Sequence, residues 1–311
     1  MIADFQFPQF TIQNAQQIMS TKIKSIEAII APPPPHMVGD GFRVHNFFPN
    51  SRLIDKKRMS PFFLLDYNSK VDFSPSETPR GVSVHPHRGF ETVTIAYHGK
   101  VAHHDSAGNS GVIGEGDVQW MTAASGLLHK EYHEKEFSRK GGLFQMIQLW
   151  VNLPAQFKMT HPKYQEITHE MIGKYELPGE KGVIEVIAGE YKNVKGPAST
   201  FTPMQVYNAR LKKNAEVEIN FPENFNTGIL VVDGEAVIHD KPVATDHFVL
   251  FKNDGELIKI TANEDAVLLV LSGEPINEPI AQYGPFLMNT WQELEQAIDD
   301  VNAGKFGVLE D

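Results

Sequence analysis

Apolar and polar positions alternate in short runs along most of the chain, and the runs are rich in β-branched and aromatic residues. Such runs, broken by Gly, Pro, Asn and Asp, are the mark of strands rather than helices. They predict strands at 91–97, 118–122, 144–151, 183–188, 204–211, 227–232, 247–250 and 266–272. Gly81, Gly99, Gly111, Gly116, Gly126, Gly228 and Gly234 punctuate them, where turns or bulges need permissive backbone. Many short strands avoid exposed edges by closing into barrels, so the expected class is all-β.

Helical spacing stands out near the end. Over 290–303, Trp291, Leu294, Ala297, Ile298 and Val301 recur with helical period. Thr290 and Glu293 form a capping-box pattern, and Gly304 is a natural stop. The polar segment 160–181, with Pro162 and Pro178, separates two strand-rich halves and reads as an inter-domain connection. Pro32 to Pro35 read as an extended surface spacer. The Gln-rich first 20 residues read as a loosely held extension, with Met19 as an alternative start.

Composition narrows the chemistry. A chain of 311 residues suits two domains of ordinary size. A net charge of -11 argues against direct nucleic-acid binding, which rests on Lys and Arg neutralising phosphates, but leaves room for a basic protein partner. There are no cysteines, so disulfides, thiolate metal sites and Cys nucleophiles are excluded and any transition metal must take nitrogen and oxygen donors. The start lacks the basic and apolar regions of a signal peptide, and no stretch has the length of a membrane span; a cytoplasmic location is the expectation.

Seven of the thirteen histidines fall between His85 and His133. In Val84-His85-Pro86-His87, two imidazoles lie two apart and so on one face of a strand. In Gly126-Leu127-Leu128-His129-Lys130-Glu131, an imidazole and a carboxylate repeat that spacing, with Lys130 directed outward. If the two strands are neighbours in a barrel, His85, His87, His129 and Glu131 converge on one ion. One His-x-His alone is more often an exposed strand pair; the second pair makes the metal reading the stronger. Such donors suit Fe(II), Ni, Cu, Mn or Zn, and leave open positions on a five- or six-coordinate ion.

These motifs resemble the pirin family of the cupin superfamily. The resemblance extends through Gly116-Asp117-Val118-Gln119-Trp120-Met121-Thr122-Ala123, Leu149-Trp150-Val151-Asn152-Leu153-Pro154, Gly273-Glu274-Pro275 and Gly284-Pro285-Phe286-Leu287-Met288-Asn289-Thr290. It covers about residues 22 to 306. It implies a bicupin: two antiparallel, jelly-roll-type β-barrels packed face to face, with a short C-terminal helix. The expected parts are an extension (1–21), a metal-binding cupin barrel (22–160), and a C-terminal cupin barrel without metal that carries the helix (161–311). The family's iron ligands map to His85, His87, His129 and Glu131. Many other cupins take the carboxylate from the position of Glu91; here Glu91 is expected to support the site or the fold.

Other candidates have plainer expectations. His98, His103 and His104 read as surface-loop histidines, His133 as lying beyond its strand, and His45 as a partly exposed strand residue. Trp120, Met121, Phe90 and Phe144 read as barrel core, Arg88 as an ion-pair partner facing away from the histidines, and Asp66 as a strand end.

The resemblance implies quercetin 2,3-dioxygenase activity: Fe(II)-dependent opening of a flavonol ring by dioxygen with release of carbon monoxide, Glu131 serving as both ligand and base. The alternatives are a non-enzymatic, iron-binding, redox-responsive regulator acting through protein contacts, and a cupin isomerase or lyase using the metal as Lewis acid. A sealed pocket favours the regulator and an open one catalysis. A monomer is expected, since two barrels can cover each other's apolar faces.

Overall fold

A computed structural model describes residues 22–49 and 54–310; the extension expected over 1–21 lies outside the described residues. The first half contains β1 (Ile26–Ile30), β2 (His36–Val38), β3 (Phe42–Phe48), β4 (Phe62–Phe73), β5 (Gly81–His87) and β6 (Phe90–His98). It continues with β7 (Val101–Asp105), β8 (Ser110–Ile113), β9 (Val118–Thr122), β10 (Leu127–His133), helix α1 (Lys135–Lys140), β11 (Gly142–Asn152) and β12 (Lys163–Ile167). All eight predicted strands form, and those at 118–122 and 204–211 coincide end to end with observed ones.

Two sheets make the first barrel: a seven-stranded one in the order β12-β9-β6-β11-β4-β3-β2 and a four-stranded one in the order β5-β10-β7-β8. The second barrel repeats this plan. Its large sheet runs β1, Phe248–Phe251, Asn226–Asp233, Ala266–Gly273, Met204–Leu211, Gly182–Ala188, Gly173–Glu176, and its small sheet has four strands between Glu216 and Ala262. All pairings between these strands are antiparallel.

Strand alternation explains how the barrels meet. On β6 and β11, Val93, Ile95, Ile147 and Leu149 face outward and join Val206, Leu230, Leu269 and Leu271 of the second barrel in one buried cluster. The residues between them, Thr94, Met146 and Gln148, face the interior of the first barrel. Trp120 belongs to the inter-barrel cluster and Met121 to an apolar group inside. The interior of the second barrel is filled by aliphatic and aromatic side chains such as Ile184, Val186, Tyr207, Ile229, Leu268 and Val270.

The expected division at residue 160 is crossed in three places. Strand β1 pairs with Phe248–Phe251 in the second barrel. Within the segment read as a connection, β12 pairs with β9 of the first barrel and Gly173–Glu176 pairs with Gly182–Ala188 of the second. The C-terminal segment returns to the first barrel: Leu287 N–H donates to Arg88 O, and Leu128 packs against a cluster containing Phe286, Met288, Leu294 and Phe306.

That segment ends in α2 (Trp291–Asn302), the helix expected from spacing, with the Thr290–Glu293 capping box formed. Leu294 and Ala297 are buried, whereas Trp291, in the first turn, is exposed. Gly89, at φ +90°, lets the tail come close: a Cβ there would lie 2.1 Å from Leu287 O. No helix of the described residues is long and apolar enough to cross a membrane.

Candidate metal centre

Strands β5 and β10 are antiparallel neighbours, with His85 opposite His129 and His87 opposite Leu127. The register shifts between His129 and Glu131, which faces Val82, so β5 carries an extra residue there. Such a bulge bends the strand and re-aims its side chains. His85, His87 and His129 converge: each offers a ring nitrogen, and those atoms lie within 4.8 Å of one another. The ring centroids are 4.2 Å apart for His85–His129, 4.6 Å for His87–His129 and 4.8 Å for His85–His87.

The nitrogens not facing the centre are partly accounted for. His85 Nδ1 lies 2.8 Å from Ser83 O, and His87 Nδ1 lies 3.3 Å from Pro285 O. As donors to these carbonyls, both rings leave Nε2 as the ligand atom. His129 is 1 % exposed, and among the described residues neither of its ring nitrogens has a hydrogen-bond partner. A buried imidazole lacking both partners is costly unless something else occupies a nitrogen. Burial, with the neighbouring imidazoles, pushes the pKa values of His87 and His129 well below the usual histidine range. They are held in the neutral form that metal ligation requires. The three histidines therefore fit a transition-metal ion.

Glu131, two residues beyond His129, faces the same interior but is not part of the three-histidine group. Its carboxylate accepts from Thr94 Oγ1 at 3.2 Å and Gln148 Nε2 at 2.7 Å. Burial raises its pKa, against the hydrogen bond from Gln148, the charge of His85 and the hydrogen bond from Thr94. Glu91 takes no part: on β6 it faces away from Thr94, is fully buried, and accepts from Thr122 Oγ1 at 2.7 Å.

A cavity of about 290 Å³ opens in front of the histidines. Phe42, Val44, Met146 and Trp150 give it apolar walls, while His85, His87, Glu131, Gln148 and Asp66 supply polar ones. Val38, Val82 and His85 are only half-buried, so the cavity reaches solvent. Phe90 stacks on Trp150 at 4.2 Å and contacts His87, stiffening the wall. A larger groove of about 500 Å³ lies elsewhere, among ion-paired surface groups such as Lys212 and Asp265, and includes no histidine.

Several expectations change. His103 is not in a surface loop: it lies on β7, is 2 % exposed, and its Nε2 is hydrogen-bonded to Tyr164. Burial, then the charge of His104, pushes its pKa down to about 4. His104, also on β7, is half-buried against Tyr132. His98 closes β6 and is half-buried. His133 is the last residue of β10, buried among Phe42, Phe73 and Phe144, with Nε2 on Gly41 O at 2.8 Å. His45 is buried, with nitrogens on Pro33 O and Ser69 Oγ. Asp66 is not a strand end but the middle of β4, facing the cavity.

Arg88 does form an ion pair, with Asp300 of α2 at 2.9 Å. Lys130 points outward, its Nζ on Glu310 O. Sequence reasoning did not single out Gln148, Thr94 or Pro285. For Gln148 a signal existed: a polar residue on the inward face of its strand between the apolar Met146 and Trp150.

A family description named Pirin matches residues 41–151, and one named Pirin C-terminal cupin domain matches residues 206–307. A crystal structure of quercetin 2,3-dioxygenase from Acinetobacter baumannii is 46% identical, with a TM-score of 0.88 over 93% of this chain and 100% of that one. Pirin-like protein 2 of Arabidopsis thaliana is 38% identical over 278 residues, 86% of this chain and 81% of its own. A bacterial pirin of Escherichia coli, solved in complex with nickel(II), shares the fold at TM-score 0.60 and 20% identity, over 80% of this chain and 100% of that one. Two antiparallel cupin barrels and matches of this extent lead to one conclusion: the chain belongs to the pirin family.

Proposed function

We propose that the protein is a metal-dependent dioxygenase that opens the ring of a flavonol such as quercetin and releases carbon monoxide. The observation that carries this reading is the three-histidine group with Glu131 beside it, at the wall of a partly apolar cavity of about 290 Å³ that reaches solvent. The name of the 46% identical Acinetobacter baumannii protein, quercetin 2,3-dioxygenase, supports the substrate class.

In this reading His85, His87 and His129 hold one divalent ion, with Glu131 as fourth ligand. Three imidazoles and a carboxylate suit Fe(II), Ni, Cu, Mn or Zn; the family resemblance favours Fe(II), and the nickel complex of the bacterial pirin keeps Ni in view. Bound there, an ion would supply Lewis acidity toward the flavonol 3-hydroxyl and an electronic partner for dioxygen.

The remaining work falls to the chain's own residues. Trp150 and Met146 hold the planar substrate on an apolar wall and exclude water from the reacting ring. Glu131 takes the proton of the 3-hydroxyl. As a buried carboxylate facing the cavity beside the histidines, it is placed for that transfer. Gln148 and Thr94 orient it and stabilise its charged form. Both oxygen atoms of dioxygen enter the ring-opened product, and one ring carbon leaves as carbon monoxide.

A cavity of this size also supports catalysis over the iron-binding, redox-responsive regulator, which needs no room for a substrate. The test is anaerobic purification with metal analysis, followed by oxygen uptake and carbon monoxide detection with quercetin. Absence of turnover in iron-, copper-, nickel- and manganese-loaded protein would sink the enzyme reading.

A further inference from the structure

One row of polar side chains crosses the large sheet of the first barrel at the level of the metal centre. Asn46 on β3 is opposite Asp66 on β4, Asp66 opposite Gln148 on β11, and Gln148 opposite Thr94 on β6. Opposed residues share a face, so all four look into the same interior. The row divides between Gln148 and Asp66. Gln148 and Thr94 turn to Glu131, whereas Asp66 is held from its other side by Asn46 Nδ2, 2.7 Å from Oδ1. Two carboxylates thus line one cavity, and the three histidines lie on the opposite, smaller sheet.

Asp66 has no metal-centre task to perform. It stands among Phe42, Val44 and Trp150, and among the described residues Asn46 is its one hydrogen-bond partner. A carboxylate on an apolar wall with a single neutral donor is under-solvated and gains from a further donor. Burial raises its pKa, as expected for such a place, against the hydrogen bond from Asn46 and then the charge of His36 on β2. A ligand that reaches from the histidines across the barrel brings its far end to this wall.

We infer that Asp66 is a specificity-determining binding residue, accepting a hydrogen bond from a hydroxyl on the part of the substrate remote from the three histidines. This rests on the flavonol reading. It says which flavonols the cavity prefers: those with hydroxylated rings, over 3-hydroxyflavone, whose one hydroxyl is the metal-directed one.

The test is anaerobic calorimetric titration of the protein as purified with quercetin and with 3-hydroxyflavone, for wild type, Asp66→Asn and Asp66→Leu. Each variant's thermal midpoint reports whether it folds. The expected result is a quercetin Kd about tenfold weaker in Asp66→Leu and roughly threefold weaker in Asp66→Asn, which keeps a neutral acceptor. The Kd for 3-hydroxyflavone stays within about twofold of wild type. Equal weakening of both ligands, or of neither, overturns the role of Asp66 and leaves the flavonol reading standing. Binding of neither flavonol by the wild type overturns both. If Asp66→Leu does not fold, Asp66→Asn alone decides by the same comparison of the two ligands.

Discussion

The carbonyl of Pro285 lies 3.3 Å from Nδ1 of His87, a residue 198 positions earlier. The chain's last segment therefore helps fix the ring orientation of a candidate metal ligand in the first barrel. Arg88, next to that ligand, carries the same connection: its guanidinium pairs with Asp300, donates to Ser125 O, and lies 4.6 Å from the Phe306 ring centroid.

Removing this latch should loosen the metal. Asp300→Ala is expected to weaken metal affinity roughly tenfold, the low end for losing support around a ligand. The cost in stability should be about 2 kcal/mol, between the values for exposed and buried pairs. The hydrogen bond from Lys305, then that from Arg88, holds the Asp300 carboxyl down to about 2. Its contribution is thus complete above the ordinary carboxylate range and fades as pH falls toward 2. Competition with a chelator and denaturant melts check both effects.

Lys158 is a second anchor. It is 1 % exposed, and its Nζ donates to Gly89 O, Asn152 Oδ1 and Leu287 O, joining the histidine motif, the end of β11 and the C-terminal segment. Burial pushes its pKa down to about 7. Lys158→Met fills the volume but strands three buried acceptors, and should cost roughly 3 kcal/mol in urea unfolding. Lys158→Arg should restore little, because a planar fork does not match three converging acceptors.

Glu91 should shape the pH dependence of stability rather than catalysis. Burial raises its pKa to about 7, opposed by a hydrogen bond from Thr122. Between the ordinary range near 4.5 and about 7 the folded state keeps a proton that the unfolded chain has lost, so stability falls as pH rises through this window. The fall from this group is about 3 kcal/mol at ~1.36 kcal/mol per unit. Glu91→Gln should abolish it and be the more stable protein at pH 8, with metal content unchanged. A variant that lost metal would contradict the orientation of Glu91 away from the centre.

Glu131→Gln separates ligand from base. Three histidines should keep the ion bound, with affinity lowered by about tenfold or more, since losing a direct ligand costs no less than losing a group that supports one. Turnover of quercetin in metal-saturated protein should drop by about 10²-fold or more, the usual contribution of a placed base. Unchanged turnover would assign the proton to another group.

Much of the site is legible in the sequence. His85, His87 and His129 could be paired because strand alternation has period two, and the Thr290–Glu293 capping box because it is local. Asp66 and Gln148 were harder: their shared face depends on the register of β4 against β11, which neither segment states alone. His103 reads as a loop residue because Gly99 and Gly111 flank it, whereas β7 pairs along its length with β10. Helix α1, six residues capped by the Glu134 side chain, is too short to show an apolar period. The exchange of β1, β12 and the Pro285 segment between halves depends on contacts as distant as 198 residues, beyond any local pattern.

The central claim, one transition-metal ion on His85, His87 and His129, is tested most directly by elemental analysis of the purified protein and of its His85→Ala/His129→Ala double variant. The wild type should carry one equivalent per chain, and a double variant that still folds should have lost the metal. Full metal content in that folded variant would contradict it.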